Sequence, residues 1–215
     1  METLVNAVLF VMTLSNGDSA VVAQIDIEEG WHIYWENPGQ SGYPTEMTGK
    51  CVTEMVYAPP HRFDMPGDIF NYGYDGRVLL FAKGNCAVGD EVTLSWLSCR
   101  EDTCLPGELS ASLQPLPTSS HADIQAQWDE YTKAKGIVQK EGKWSISLKT
   151  FANAEIEFFP TAALEAQGLE PLITKTLWTQ TWQLKGPLPI PQSEKVVVRI
   201  KKRGKERTVL YTAQE

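Results

Sequence analysis

Short runs in which apolar and polar residues alternate, separated by turn-forming residues, occupy most of the chain. Val21–Ile27 alternates at its C-terminal end, with Ala23, Ile25 and Ile27 on one face. Val52–Tyr57, Arg77–Ala82 and Glu91–Leu97 follow, and in the last of these Val92, Leu94 and Trp96 alternate with Thr93, Ser95 and Leu97. A period of two places successive side chains on opposite faces of a strand. Turn signals separate the runs: Asn16-Gly17-Asp18, Asn37-Pro38-Gly39, Pro59-Pro60, Asp75-Gly76 and Gly89-Asp90. Many short strands with turns between them predict an antiparallel sandwich.

The period changes after Pro115 and Pro117. Ser120 is placed to cap a helix, with Asp123 completing a capping box, and Ile124, Trp128 and Tyr131 fall on one face. Gly136 reads as its stop. Strand patterns then return at Trp144–Leu148, Ala154–Phe159 (ended by Pro160) and Leu177–Trp182. Pro187, Pro189 and Pro191 break the chain before a last hairpin of Val196–Ile200 with Thr208–Tyr211 around Gly204. The pattern predicts a mainly β chain: one sandwich over 1–117, a linker and helix over 118–136, and a second sandwich over 137–215. Lys201, Lys202, Arg203 and Lys205 read as a solvated hairpin tip that protects an edge strand rather than as a nucleic-acid or membrane patch.

Composition narrows the function classes. Of 215 residues, 42% are hydrophobic and 21% charged, as in a globular chain. A net charge of −8 argues against nucleic-acid binding, which needs clustered cations, and favours basic partner surfaces. The longest apolar-rich stretch, Leu4–Leu14, contains Asn6 and Thr13 and is too short to span a bilayer. With Glu2 and no Lys or Arg in its flank it is also a poor signal peptide, so the chain is expected to be an excised or trimmed piece.

Four cysteines, Cys51, Cys86, Cys99 and Cys104, are too few for a disulfide-stapled mini-domain and allow three connectivities. Cys99 ends a strand. The four residues before Cys104 can form a hairpin loop, which would set the two cysteines opposite each other within disulfide reach. A bridge there closes a short loop and stabilises little, which favours a functional bond. A structural staple and a metal site remain open. Zinc would need further ligands, and His32, His61 and His121 lack ligand spacing. Arg100 favours a thiolate, while Glu101 and Asp102 oppose it. Cys51 and Cys86 can form a second, structural bridge or remain free thiols; neither is assigned a catalytic role. In Gly30–Thr45 a strand is expected with Trp31, Ile33 and Trp35 facing the core. His32 is read as a surface or hydrogen-bonded residue rather than a general base, because no nearby Ser or Asp completes a relay.

The segment GWHIYWENPGQSGYPT (residues 30 to 45) resembles the opening motif of the DsbD and ScsB N-terminal regions. APPHRFDMPGDIFNYGYDGRVLL (58 to 80) and WLSCREDTCLPGE (96 to 108) look like the following blocks of that family, in family order. The resemblance implies immunoglobulin-like sandwiches in the periplasm, as an extracytoplasmic part of an inner-membrane protein. It implies thiol-disulfide exchange: a thioredoxin-like C-terminal domain of the same full-length protein reduces the Cys99–Cys104 pair. The dithiol then reduces periplasmic thioredoxin-fold clients such as disulfide isomerases. Cys104 would form the mixed disulfides and Cys99 would resolve them. A cap loop within Phe63–Tyr72 would shield the pair, with Phe70 and Tyr72 as the foremost covers and Phe63 as a third. The rival reading is a non-enzymatic immunoglobulin-like binding module with a structural Cys99–Cys104 bond. No cofactor or metal is expected, no nucleic-acid partner, and membrane attachment only through a transmembrane domain outside this chain.

Overall fold

The computed structural model describes residues 4–140, 143–166, 171–187 and 194–212. Contacts divide the chain into two units, Met1–Thr132 and Lys133–Glu215, each taken by itself below.

The first unit contains β1 (Val5–Thr13), β2 (Ser19–Ile27), β3 (Ile33–Gly39), β4 (Glu46–Thr48), β5 (Val52–Val56), β6 (His61–Met65), β7 (Ile69–Tyr74), β8 (Arg77–Gly84), β9 (Glu91–Arg100), β10 (Thr103–Ser112), β11 (Gln114–Pro115) and α1 (Thr118–Thr132). The strands form sheets of order β11-β1-β2-β8-β5, β10-β9-β4 and β3-β7-β6. Antiparallel pairing dominates, as expected of strands joined by short turns. The apolar stretch over Leu4–Leu14 is thus an ordinary strand, β1, paired with β2 along its whole length.

Only the C-terminal end of β2 alternates in sequence because both faces of its N-terminal half are buried. Ala20 and Val22 join Met12, Leu14, Val56 and Phe81 in a cluster closed by Ile124 and Trp128 of α1. Phe81 meets Trp128 and Tyr131 edge-on, at ring-centroid distances of 5.6 and 5.8 Å. A strand covered on both faces reads as a continuous apolar run.

The helix departs from the sequence expectation at both ends. It begins at Thr118, so Ser120 lies in its first turn rather than at the cap, and the Ser120 N–H donates to the Pro117 carbonyl. Pro117 suits the position before the first turn, where a missing N–H costs nothing. The helix ends at Thr132, and Gly136 belongs to a strand instead. The apolar face Ile124, Trp128 and Tyr131 packs against the first unit.

The second unit contains β12 (Ala134–Gly136), β13 (Val138–Lys140), β14 (Lys143–Phe151), β15 (Glu155–Pro160), a single turn of helix α2 (Ala162–Glu165), β16 (Leu172–Lys175), β17 (Thr179–Pro187), β18 (Lys195–Lys202) and β19 (Lys205–Thr212). Two four-stranded sheets, β12-β19-β18-β15 and β13-β14-β17-β16, share one core. Trp144, Ile146, Leu148 and Leu184 come from one sheet, and Val196, Val198, Val209 and Tyr211 from the other. That interdigitation of alternate residues defines a sandwich. The last hairpin forms about Gly204 with Lys202 opposite Lys205, as its sequence predicts. Leu177 and Trp178, expected in a strand, form the turn before β17 instead; Pro189 and Pro191 lie outside the described residues. The chain is mainly β with an immunoglobulin-like sandwich fold and one short helix of several turns.

Candidate redox site

β9 and β10 form a hairpin paired without slippage from Glu91↔Ser112 to Arg100↔Thr103. The loop is therefore two residues, Glu101 and Asp102, rather than the four that the cysteine spacing suggested. Glu101 supplies the left-handed backbone that a tight hairpin turn needs, at φ 49°.

This register sets Cys99 opposite Cys104. The Cys99 N–H donates to the His32 carbonyl at 2.9 Å, and the His32 N–H donates to the Cys99 carbonyl at 3.0 Å. Both backbone groups of Cys99 thus point away from β10. Cys99 and Cys104 are a non-hydrogen-bonded cross-strand pair, the class in which side chains come closest. Their Cα atoms are 4.1 Å apart and the sulfurs are bonded.

The two ends of the bond have different surroundings. Cys99 is 1% exposed. Cys104 is exposed, and so are Thr103, Leu105 and Pro106 beside it. Two contacts hold β10 tightly to β9 just beyond. The Ser98 hydroxyl donates to the Leu105 carbonyl at 3.0 Å. The Trp96 ring lies over Gly107 so closely that a Cβ there would meet it at 2.4 Å. Arg100 turns to the other face, with its guanidinium carbon 4.9 Å from the centroid of the Trp31 ring.

His32, which pairs with Cys99 across the sheet, carries an aromatic cluster with Tyr34 of β3 and Phe63 of β6. His32 is 5% exposed, so of the two sequence readings, surface or hydrogen-bonded, the surface one fails, and its ring stacks on Phe63 of β6 at 4.7 Å and 18°. It meets Tyr34 edge-on at 5.2 Å. Burial lowers the His32 pKa, while the Asp75 carboxylate acts the other way, and the His32 Nε2 has no hydrogen-bond partner among the described residues. The run Trp31–Trp35 is buried at every position, not alternately. β6 and β7, where the resemblance implies a cap loop, contribute to this through Phe63 on His32 and Tyr72 on Trp35. They form a hairpin lying against β3, so close that a Cβ on Gly73 would sit 1.9 Å from the Ile33 carbonyl oxygen. An unbroken apolar run enclosing a histidine was the sequence signal for burial on both faces.

Of the three cap candidates, Phe63 reaches the Cys99 strand through His32. Phe70 is half-buried, packs on Tyr72 at 5.3 Å, and carries the Arg62 guanidinium over its ring at 4.4 Å. Tyr72 is 5% exposed and meets Trp35 edge-on.

Cys51 and Cys86 form the second bridge, tying the start of β5 to the segment after β8 across 35 residues, with Cα atoms 4.9 Å apart. The Asn85 N–H donates to the Cys51 carbonyl beside it. Among the described residues, no group of three or more His, Cys, Asp or Glu is arranged to hold a metal ion.

A solved structure, the N-terminal periplasmic domain of ScsB from Proteus mirabilis, is similar with a TM-score of 0.59 at 19% identity, over 98% of this chain and 93% of that one. The N-terminal domain of Neisseria meningitidis DsbD in the reduced form is similar at 15% identity, over 49% of this chain and 84% of that one, with a TM-score of 0.32. No curated protein sequence matches the chain. The family profile "Thiol:disulfide interchange protein DsbD, N-terminal" matches residues 2–115, a span that holds both disulfides and more than half of the sequence. The chain therefore belongs to the DsbD N-terminal family.

Proposed function

We propose that the chain is an extracytoplasmic thiol-disulfide exchange domain, a protein-disulfide reductase in which Cys99 and Cys104 are the electron-carrying pair. The observation that carries this reading is the asymmetry of the bond: Cys104 exposed at a hairpin tip, Cys99 buried and bridged to His32. Exchange requires a thiolate to reach one sulfur and a second thiol held ready to displace it.

In the reduced chain, the Cys104 thiolate attacks the disulfide of a thioredoxin-fold client. A mixed disulfide forms and one client thiolate leaves. The Cys99 thiolate then attacks the Cys104 sulfur, closing the Cys99–Cys104 bond and releasing the second client thiolate. Two electrons have passed from the chain to the client, a disulfide isomerase or similar oxidoreductase. Recharging runs the steps in reverse: a thiolate of a thioredoxin-like domain of the same full-length protein attacks Cys104, and Cys99 leaves. No cofactor takes part.

Geometry supports each role. The pair is bonded side by side on a hairpin that its backbone register and the His32 contacts already hold together, so closing the bond needs little movement. Phe63, through its stack on His32, is the foremost cover of the resolving cysteine; Phe70 and Tyr72, packed on each other in β7, are the further cap residues. Cys51–Cys86 is the structural bridge. The redox chemistry resides in the first sandwich, since 137–215 contains no cysteine.

The test uses the reduced chain and an oxidised thioredoxin-fold disulfide isomerase. Cys104→Ala ends client reduction, and Cys99→Ala accumulates a one-to-one mixed disulfide through Cys104 that dithiothreitol releases. Full exchange activity in both variants contradicts the assignment.

A further inference from the structure

Three turns lie side by side at one end of the second unit. Phe151 pairs with Thr179, and the Ala152 N–H donates to the Trp178 carbonyl at 3.1 Å, so the turn after β14 adjoins the turn before β17. Glu155 pairs with Lys201, which sets the same β14–β15 turn beside the β18–β19 tip at Arg203 and Gly204.

The surfaces of these turns are unlike a solvated end. Leu177 is 81% exposed, Trp178 77% and Phe151 59%. The Thr176 N–H donates to the Thr179 carbonyl at 2.8 Å and the two threonine hydroxyls bond each other, so Leu177 and Trp178 are presented outward on a closed turn. All three lie outside the unit's buried core. Cations lie at the same end. Lys202 Nζ lies 3.0 Å from the centroid of the Phe151 ring, and Lys175 directly precedes the Leu177 turn. A cleft of about 330 Å³ is lined by Lys149, Phe151, Lys202, Lys205 and Arg207, with Glu206 as its one carboxylate.

The charge of the chain is also divided between its units. Lys133–Glu215 carries 14 Lys and Arg against 8 Asp and Glu, a net of +6. Met1–Thr132 carries 5 against 19, a net of −14. The overall acidity thus conceals a basic second unit, and the hairpin tip that reads as merely solvated in sequence borders an exposed aromatic cluster.

We propose that this end of the second unit seats on an anionic lipid surface. Trp178 and Leu177 enter the headgroup layer, where an amphipathic ring is stable, and Lys202, Arg203, Lys205 and their neighbours meet lipid phosphates. A protruding two-residue apolar turn beside a cationic hairpin tip suits a deformable headgroup layer better than a flat protein face. A nucleic acid would be met by cations but would leave Leu177 and the net acidity of the chain unexplained.

The test is co-sedimentation of the full chain with vesicles of phosphatidylglycerol and phosphatidylcholine against vesicles of phosphatidylcholine alone. The chain sediments with the anionic vesicles and is released by 0.5 M salt. Leu177→Ser with Trp178→Ser lowers the partition about tenfold; Lys202→Gln and Arg203→Gln each lower it about fivefold. Nitroxide-labelled lipid quenches the fluorescence of the full chain, and Trp178→Phe removes that quenching. Equal binding to both vesicle types, or unchanged binding by the tip variant, overturns the proposal. So does an absence of vesicle binding together with self-association that Lys202→Gln weakens, which would assign the patch to the acidic unit of a second copy.

Discussion

The two disulfides should differ in what they contribute to stability, and the difference can be worked from the chain. Cys51 and Cys86 are 35 residues apart in sequence; Cys99 and Cys104 are 5 apart. Loop-closure entropy assigns the long loop about 4 kcal/mol and the short one about 2 kcal/mol. Replacing each pair with alanines removes both bridges in a comparable way. Each pair has one buried member, Cys86 at 5% and Cys99 at 1%, so the cost of truncating a buried side chain largely cancels in the comparison. The Cys51→Ala/Cys86→Ala variant should therefore lose about 2 kcal/mol more than Cys99→Ala/Cys104→Ala, read as a shift in the first unit's urea midpoint at constant slope. The hairpin survives loss of its bond because ten paired residues on each strand and the His32 contacts remain. An electron-carrying bond that opens at each turnover needs that tolerance. Equal losses, or a greater loss from the Cys99–Cys104 pair, would refute the reasoning and mark that bond as the structural one.

Trp128→Ala empties the contact between α1 and Phe81 and should cost about 3 kcal/mol in the same urea assay, with early loss of hydrogen-exchange protection in the helix. Glu101→Gly removes a side chain from left-handed backbone and should raise stability by about 1 kcal/mol, seen as a higher melting temperature. Gly73→Ala drives a methyl into the Ile33 carbonyl and should cost about 3 kcal/mol, with faster hydrogen exchange in β3 and β7. His32 takes up a proton at its ordinary pKa of 6.5 when unfolded but only at lower pH when folded, so stability falls as pH drops below 6.5. His32→Phe, which keeps the ring on Phe63, should flatten the pH dependence of the melting temperature in that window.

Alternation and turn residues expose most of the strands, because period-two burial is a local property. Trp144, Ile146 and Leu148 show it, each buried between exposed or half-buried neighbours. Segments covered on both faces were misread. Trp31–Trp35 shows only one inward face in sequence and β6–β7 shows no strand pattern, because what packs on each lies far away in the chain. The helix starts three residues earlier than a Ser120 cap implies, since Ser120 looks like a cap and Pro117 does not. The opposition of Cys99 and Cys104 follows from spacing, yet the loop between them is shorter than predicted. Glu101 is not a residue that signals left-handed backbone. The His32–Cys99 bridge joins positions 67 residues apart and leaves no local trace, so the asymmetry between the two cysteines became visible only in three dimensions.

The most direct test of the central claim is the equilibrium reduction potential of the Cys99–Cys104 bond, read by alkylation and mass spectrometry across a thiol redox series with Cys51–Cys86 as the internal comparison. The account predicts a value well above about −300 mV, as for an exchangeable bond, with Cys51–Cys86 below it. A Cys99–Cys104 potential below about −300 mV would make the bond a resistant staple and contradict the electron-carrying role.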